Sequence, residues 1–224
     1  MTFVCAIDEA GRGPVIGPLV LAGVVLLKSD VKKLEERKVT DSKLLSPKQR
    51  EGLFDQITSL VTAYHIVIVN PPEIDAAVEG KDGLNLNWLE AIKAAEIVNT
   101  LMKNRSGKVI IDCPSTNIPA YTAYVKKHIT CPNITYLVEH KADSTYVACG
   151  AASILAKVTR DRLIEEIKKK YGINFGSGYP ADPFTQKFLE KHWNTYATHG
   201  IFRTSWASWK RLKATKAQRG LFEY

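Results

Sequence analysis

Two adjacent carboxylates, Asp8 and Glu9, directly follow an apolar segment at residues 3–7 that we predict to be a buried strand. Ionised carboxylates that the backbone forces together repel each other, so one of them takes up a proton or cations hold both. From Gly11 to Gly13 the glycines let the backbone approach a ligand, and the arginine between them suits a phosphate. The run indicates a metal site beside a phosphate site, with an acidic turn at a strand end as the alternative.

Two further acids have comparable positions. Asp112 follows the apolar segment at 108–111, and Asp143 comes after the segment at 134–138. Side chains just beyond strand ends converge on one crevice in open α/β folds, so we expect both acids to join the acidic pair. The alternatives are a turn at Asp112 and a helix N-cap at Asp143.

Four carboxylates in one crevice would need cations, and hard oxygen ligands suit Mg²⁺ or Mn²⁺. Paired ions about 3.5–4 Å apart hold both the attacking and the leaving oxygen of a phosphodiester. The sequence therefore predicts nuclease chemistry. The predicted catalytic and metal-binding residues are Asp8, Glu9, Asp112 and Asp143.

The order of predicted elements indicates one α/β domain with a mixed sheet flanked by helices and a helical C-terminal part. Predicted strands lie at 3–7, 19–27, 63–69, 108–111 and 134–138. Predicted helices lie at 47–60, 85–102, 144–170, 183–193 and 206–218.

Composition narrows the class of protein. Hydrophobic residues make up 45% and charged residues 24% of the 224 residues, which excludes a disordered or fibrous chain. The longest apolar stretch, residues 15–27, is broken by glycine and proline and is too short to span a bilayer. The four cysteines form no CxxC motif, which argues against zinc. We expect a cytoplasmic monomer with no membrane partner.

The formal charge of +8 is concentrated near the C-terminus, where residues 203–219 contain six Lys or Arg and no acid. A polyanionic partner is the natural inference, and a solvated helix face is the alternative. The predicted contacts to a duplex backbone are Arg203, Lys210, Arg211 and Lys213.

Five separated motifs resemble those of ribonuclease HII in its archaeal-type form, in order from residue 7 to about residue 189. The motifs are Asp-Glu-Ala-Gly-Arg-Gly-Pro at 8–14, Thr-Asp-Ser-Lys at 40–43, the strand that ends at Asp112, Lys-Ala-Asp at 141–143 with the helical run 151–161, and Gly-Ser-Gly-Tyr-Pro at 176–180. Residues beyond 191 match the family only loosely.

The resemblance implies a ribonuclease H-like catalytic domain at 1–190 and a helical basic region at 191–224. It also implies a metal-dependent endonuclease that hydrolyses the RNA strand of RNA/DNA hybrids and cuts 5′ to ribonucleotides embedded in duplex DNA. The products carry a 3′-hydroxyl and a 5′-phosphate, and the role is ribonucleotide excision in DNA replication and repair. The alternatives are a non-catalytic nucleic-acid-binding subunit and a two-metal endonuclease that acts on damaged DNA.

The resemblance assigns substrate binding to Gly11, Arg12, Gly13, Thr40, Ser42, Lys43 and Tyr179. Selection of RNA over DNA requires contact with the 2′-hydroxyl, which backbone groups beside glycines and a tyrosine ring can supply. Tyr179 has a structural alternative as a packed loop aromatic, and Thr40 and Ser42 have one as turn residues. Lys157 and Arg160, on the helix after Asp143, are expected to contact phosphate or the metal-binding carboxylates.

The C-terminal residues have the spacing Gln-x-x-Leu-x-x-aromatic, formed by Gln218, Leu221 and Tyr224. This spacing resembles the peptide by which replication proteins bind the sliding clamp, in which apolar anchors on one helical turn fill a pocket. The usual motif has a second aromatic after the position of Tyr224. The alternative is an apolar tail that packs on its own domain.

Overall fold

The structure is a computed structural model that describes residues 1–37, 39 and 45–221, without the side chains of 217 and 219–221. Within this part of the chain, five strands form one mixed sheet in the order β3-β2-β1-β4-β5. The strands are β1 (Phe3–Ala10), β2 (Leu19–Leu27), β3 (Ala63–Val69), β4 (Gly107–Asp112) and β5 (Ile134–Glu139).

The centre of the sheet combines both strand directions. β1 pairs antiparallel with β2 and parallel with β4, which in turn pairs parallel with β5. The register places Ile7 opposite Ile111. The next residues along these two parallel strands are Asp8 and Asp112, so the pairing brings both acids to the same edge of the sheet.

Helices flank this sheet, as the sequence predicted. The helices are α1 (Val31–Glu36), α2 (Pro47–Leu60), α3 (Pro71–Val78), α4 (Leu86–Leu101), α5 (Ile118–His128), α6 (Ala142–Thr145), α7 (Val147–Tyr171), α8 (Pro183–His192) and α9 (Ala207–Leu221).

The strand β2, which lies between β3 and β1, is buried along nearly its whole length and consists of Leu, Val, Ala and one glycine. That glycine, Gly23, allows close packing, since a Cβ at this position would overlap the side chain of Ile97 on α4. The apolar face of α4 therefore lies against the middle of the sheet.

Strand β1 is longer than predicted. It continues to Ala10, so Asp8 and Glu9 are strand residues instead of following the strand. Pairing with β2 explains the extension, because the ladder includes Asp8, Glu9 and Ala10 opposite residues 20–22.

Four helical features differ from the prediction, of which the first is α1, a helix that the sequence did not predict. Pro71 begins α3 at a point where the sequence predicted only the end of a strand. The helix α5 was not predicted at all, and the side chain of Asn117 caps its N-terminus. The helix predicted at 144–170 is divided into α6 and α7 at Tyr146, whose backbone is extended. The division changes the local position of Asp143, as described below.

The chain divides into two compact units that interleave along the sequence. The first unit contains 1–10, 20–68 and 86–159, and the second contains 11–19, 69–85 and 160–224. The second unit has its own apolar core, in which Phe175, Phe188, Phe202 and Trp209 are buried. The sequence-based division into 1–190 and 191–224 stays a prediction.

Among the described residues, no helix is both long and apolar enough to cross a membrane.

Candidate active site

Three of the four predicted carboxylates form one cluster in the first unit. One carboxylate oxygen from each of Asp8, Glu9 and Asp112 can be chosen so that the three atoms lie within 4.8 Å of one another. The parallel pairing of β1 with β4 produces this approach, because it aligns the acidic ends of two neighbouring strands. The cluster contains only oxygen donors, which is the ligand set that Mg²⁺ and Mn²⁺ prefer.

The fourth carboxylate, Asp143, lies in the first turn of α6 and is only 3% exposed. Its N-cap alternative is wrong, because the N-cap residue of α6 is Lys141 in a left-handed conformation. The first residue of α6, Ala142, donates its N–H to Asp112 Oδ1 at 2.8 Å, which attaches this short helix to the end of β4. Asp143 is outside the 4.8 Å group, but its charge acts on Asp8.

The pKa of Asp8 is raised by burial and by the neighbouring carboxylates. Its side chain is 4% exposed, and burial, aided by the charges of Asp112 and Asp143, raises its pKa to about 7. Hydrogen bonds from the Ser153 side chain and from the Glu9 amide, at 2.7 Å, oppose this rise. A divalent cation bound to these oxygens would supply the positive charge that the buried carboxylates need.

Ser153 is a site residue that the sequence did not predict, and it forms a hydrogen bond with Asp8 from within α7. Ser153 is 4% exposed, and its neighbours on the helix from Ala151 to Leu155 are apolar and fully buried. A single serine in an otherwise apolar buried stretch was the available signal, because a buried hydroxyl needs a hydrogen-bond partner.

The second unit contains the predicted Gly-Arg-Gly segment in a tight conformation. Gly11 has φ +84°, and a Cβ there would lie 2.8 Å from the carbonyl oxygen of Pro18. Any other residue at this position would be strained and would displace the backbone. Arg12 is half-buried and Gly13 is exposed.

Tyr179 lies next to this segment. A Cβ at Gly13 would be 3.6 Å from Tyr179 Cε1, and the tyrosine side chain is 37% exposed. The carbonyl of Gly178 accepts the N–H groups of Val15 and Ile16 at 2.9 and 3.2 Å. These backbone bonds fix the tyrosine loop to the glycine segment.

Arg160 supports the tyrosine. Its side chain is buried, with Nη2 donating to the Ser177 carbonyl at 2.6 Å and Cζ lying 5.2 Å from the centre of the Tyr179 ring. A guanidinium buried in this way is not available to a phosphate at the surface. Lys157 is half-buried on α7, and its contact with phosphate or carboxylate stays a prediction.

The basic cluster near the C-terminus divides into two parts. Lys210, Arg211 and Lys213 are exposed on α9. The expected surface contact of Arg203 with a duplex is wrong, because this side chain is 0% exposed and its guanidinium donates to backbone carbonyls.

Several predicted residues cannot be placed. Thr40, Ser42 and Lys43 lie outside the described residues, as do Tyr224 and the side chain of Leu221. Gln218 is exposed near the end of α9.

A mixed sheet with acids clustered at the ends of its neighbouring strands β1 and β4 defines a metal-dependent nuclease of the ribonuclease H-like class. The model of the family Ribonuclease HII matches residues 5–209. The chain belongs to this family, and it is therefore a ribonuclease H-type endonuclease of a divalent-metal-dependent hydrolase family.

Individual relatives agree with the family assignment. The ribonuclease HII of Thermococcus sibiricus is 46% identical over 212 residues, which cover 92% of this chain and 89% of the relative. The crystal structure of ribonuclease H2 from Pyrococcus horikoshii has a TM-score of 0.85 at 38% identity and covers 96% of this chain and 98% of its own. A structure of the PCNA:RNase HII complex from Archaeoglobus fulgidus has a TM-score of 0.80 at 34% identity, with 93% and 96% coverage.

Proposed function

We propose that this endonuclease hydrolyses the RNA strand of RNA/DNA hybrids and cuts 5′ to ribonucleotides embedded in duplex DNA, leaving a 3′-hydroxyl and a 5′-phosphate. The observation that carries the proposal is the approach of Asp8, Glu9 and Asp112 within 4.8 Å on two paired strands. Asp143 acts with them, because its charge already influences Asp8.

We assign the four carboxylates to hold two divalent cations, either Mg²⁺ or Mn²⁺. Such ions, when bound, polarise the phosphodiester and stabilise the charge that develops on the attacking and leaving oxygens. The protein contributes the oxygen ligands, and α6 and Ser153 hold the carboxyl groups of Asp112 and Asp8 in place.

In this proposal, residues of the second unit select RNA over DNA. Backbone groups at Gly11, Arg12 and Gly13 contact the ribose 2′-hydroxyl, and the exposed ring of Tyr179 packs on the neighbouring deoxyribose. The proximity of Gly13 to Tyr179 supports this assignment, since both can contact neighbouring sugars of one strand. Thr40, Ser42 and Lys43 remain proposed phosphate contacts on the basis of their motif.

The test is an end-labelled DNA duplex that contains one ribonucleotide, incubated with Mg²⁺, Mn²⁺ or EDTA and mapped to the nucleotide. We expect one cut, 5′ to the ribonucleotide, only with a divalent metal, and loss of that cut in Asp143→Asn with duplex binding retained. Asp55→Asn is the matched control, because it neutralises an exposed acid on α2. Metal-independent binding without cleavage would instead support a nucleic-acid-binding subunit, and cleavage at damaged sites without a ribonucleotide would support a damage-specific endonuclease.

We also propose that Gln218, Leu221 and Tyr224 bind a sliding clamp. The complex of the Archaeoglobus relative with PCNA supports this proposal, together with the Gln-x-x-Leu-x-x-aromatic spacing. Replacement of Leu221 and Tyr224 by alanine should abolish co-elution with the clamp, whereas Leu212→Ala on α9 should leave it intact. Unchanged co-elution of the double variant would reject the proposal.

The monomeric state and the cytoplasmic location stay predictions from the sequence.

A further inference from the structure

The buried cation Arg203 has an unusual set of partners within the second unit. Its side chain is fully buried, and three of its nitrogens donate to carbonyl oxygens of one loop. Nε donates to Gly17 at 3.0 Å, Nη1 to Arg12 at 2.8 Å and Nη2 to Gly11 at 2.6 Å. The planar guanidinium therefore fixes the positions of three backbone carbonyls within residues 11–17.

Trp206 completes this set of contacts. Its indole Nε1 donates to the carbonyl of Gly13 at 3.1 Å, and the Arg203 guanidinium carbon lies 4.9 Å from the centre of its ring. Two side chains from one short segment thus hold the carbonyls of three consecutive residues, from Gly11 to Gly13.

These contacts determine where the neighbouring amides point. In a trans peptide the C=O of one residue and the N–H of the next point in opposite directions. Because the carbonyls of Gly11 and Arg12 point to Arg203, the N–H groups of Arg12 and Gly13 point away from the buried cation. The exposed Gly13 also lies beside the ring of Tyr179, so these amides belong to the proposed sugar-binding surface.

The segment that contains Arg203 is itself anchored by Asp75 on α3. The carboxylate of Asp75 accepts four hydrogen bonds, from the N–H and hydroxyl groups of Thr204 and Ser205. Asp75 is 8% exposed, so these bonds are made within the protein interior. Together, Asp75, Arg203 and Trp206 connect α3 to the glycine loop through hydrogen bonds within the second unit.

We propose that Arg203 and Trp206, anchored by Asp75, are positioning residues that preset the amides of the glycine loop for the ribose 2′-hydroxyl. The inference rests on the proposed function, because it assumes that this loop contacts the ribose. None of the three residues touches the substrate. Their contribution is a rigid loop, whose amides need no rearrangement when the substrate binds.

The test measures selectivity independently of the amount of folded enzyme. For each variant, KM is determined for a duplex with one ribonucleotide, and Ki is determined for the all-deoxy duplex of the same sequence as a competitive inhibitor. A fraction of unfolded enzyme lowers the apparent kcat but changes neither KM nor Ki. The ratio of Ki to KM therefore reports recognition of the 2′-hydroxyl.

We expect Arg203→Lys to lower this ratio by at least about tenfold, since an ammonium cannot reproduce three donors in one plane. Trp206→Phe keeps an aromatic ring but loses the indole N–H that bonds the Gly13 carbonyl, together with part of the ring surface beside Arg203, so we expect a reduction of about threefold to tenfold. The matched controls are Arg37→Lys, an exposed arginine at the C-terminus of α1, and Trp193→Phe, a ring that packs on Trp209. Both should stay within twofold of the wild type.

The outcomes separate the two proposals. If Arg203→Lys does not fold, Trp206→Phe carries the test alone. A wild-type ratio well above one that Trp206→Phe leaves within twofold would overturn the positioning role and leave the proposed function intact. A wild-type ratio near one would overturn recognition of the 2′-hydroxyl, and the positioning role with it.

Discussion

At the scale of single residues, opposing effects determine the pKa of the Asp8 carboxyl group. Burial and the charges of Asp112 and Asp143 favour its protonated form, whereas hydrogen bonds from Ser153 and the Glu9 amide favour the ionised form. Burial is the largest of these influences, so the metal-free protein keeps the pKa of Asp8 near 7. The same group is then a sensitive indicator of a bound cation.

We expect Mg²⁺ to raise the thermal unfolding temperature more at pH 8 than at pH 5. The pKa of Asp8 is raised from 3.8 to about 7, so its contribution to the stability of the metal-free protein is fully present below pH 3.8 and is lost as the pH rises through about 7. A bound cation removes that loss because it stabilises the ionised carboxylate. Melting curves in EDTA and in Mg²⁺ at both pH values measure the difference. The shift should shrink in Asp8→Asn, and a pH-independent shift in the wild type would contradict the prediction.

A second prediction concerns Gly11. We expect Gly11→Ala to lower the free energy of unfolding by more than about 1 kcal/mol, because alanine is strained at φ +84° and its Cβ would lie 2.8 Å from the Pro18 carbonyl. Urea unfolding measures this change. Gly52→Ala is the control, since this position on α2 has open space and alanine should stabilise the helix by about 0.5–1 kcal/mol. Equal stability of the two variants would show that the glycine loop is not restrained.

Functional residues could be predicted where they follow a recognisable pattern in the sequence. Asp112 and Asp143 were found because both come at or soon after the end of an apolar strand. Arg203 was assigned wrongly because charge in a sequence gives the sign of a side chain but not its burial. Ser153 was overlooked because its partner, Asp8, is far away in the chain and no local spacing relates the two.

At the scale of elements, hydrophobic periodicity predicts the strands and the longer helices, whereas proline residues conceal the starts of two further helices. Pro71 and Pro72 directly follow the strand predicted at 63–69 and indicate its end, but proline also fits the first turn of a helix and α3 begins there. Pro119 likewise lies in the first turn of α5, a helix that the sequence did not predict. The break at Tyr146 carries no glycine or proline, so the apolar pattern appeared continuous across it.

The N-terminus of α2 provides a test at this scale. Ser46 and Gln49 form a capping box, in which the Ser46 hydroxyl accepts the Gln49 N–H at 3.3 Å and Gln49 Oε1 accepts the Ser46 N–H at 2.8 Å. We expect Ser46→Ala to lower the free energy of unfolding by about 1 kcal/mol, measured in urea. Ser59→Ala, near the end of the same helix, should have little effect because its hydroxyl bonds only the carbonyl of Gln56. A Ser46→Ala variant as stable as Ser59→Ala would contradict the role of the cap.

At the scale of the whole molecule, the structure contains two compact units that interleave along the chain, and the sequence-based division into 1–190 and 191–224 stays a prediction. Composition could not reveal this interleaving, because the chain passes between the units within continuous elements such as α7, without a linker. The excess positive charge was predictable from the sequence alone. Its placement was only partly predictable, because Arg203 is interior and Lys210, Arg211 and Lys213 are exposed.

The exposed cations of α9 should determine how strongly duplex binding depends on salt. Each phosphate contact contributes about 0.9 to the slope of log affinity against log salt, so replacing Lys210, Arg211 and Lys213 by glutamine should reduce that slope by about 2 to 3. Fluorescence anisotropy with an all-deoxy duplex at several salt concentrations measures it. The control replaces the exposed residues Lys103, Lys126 and Lys127 and removes the same three charges from the net +8. If both triple variants lower the slope equally, the attraction comes from the total charge of the protein, and α9 has no particular role in holding the duplex.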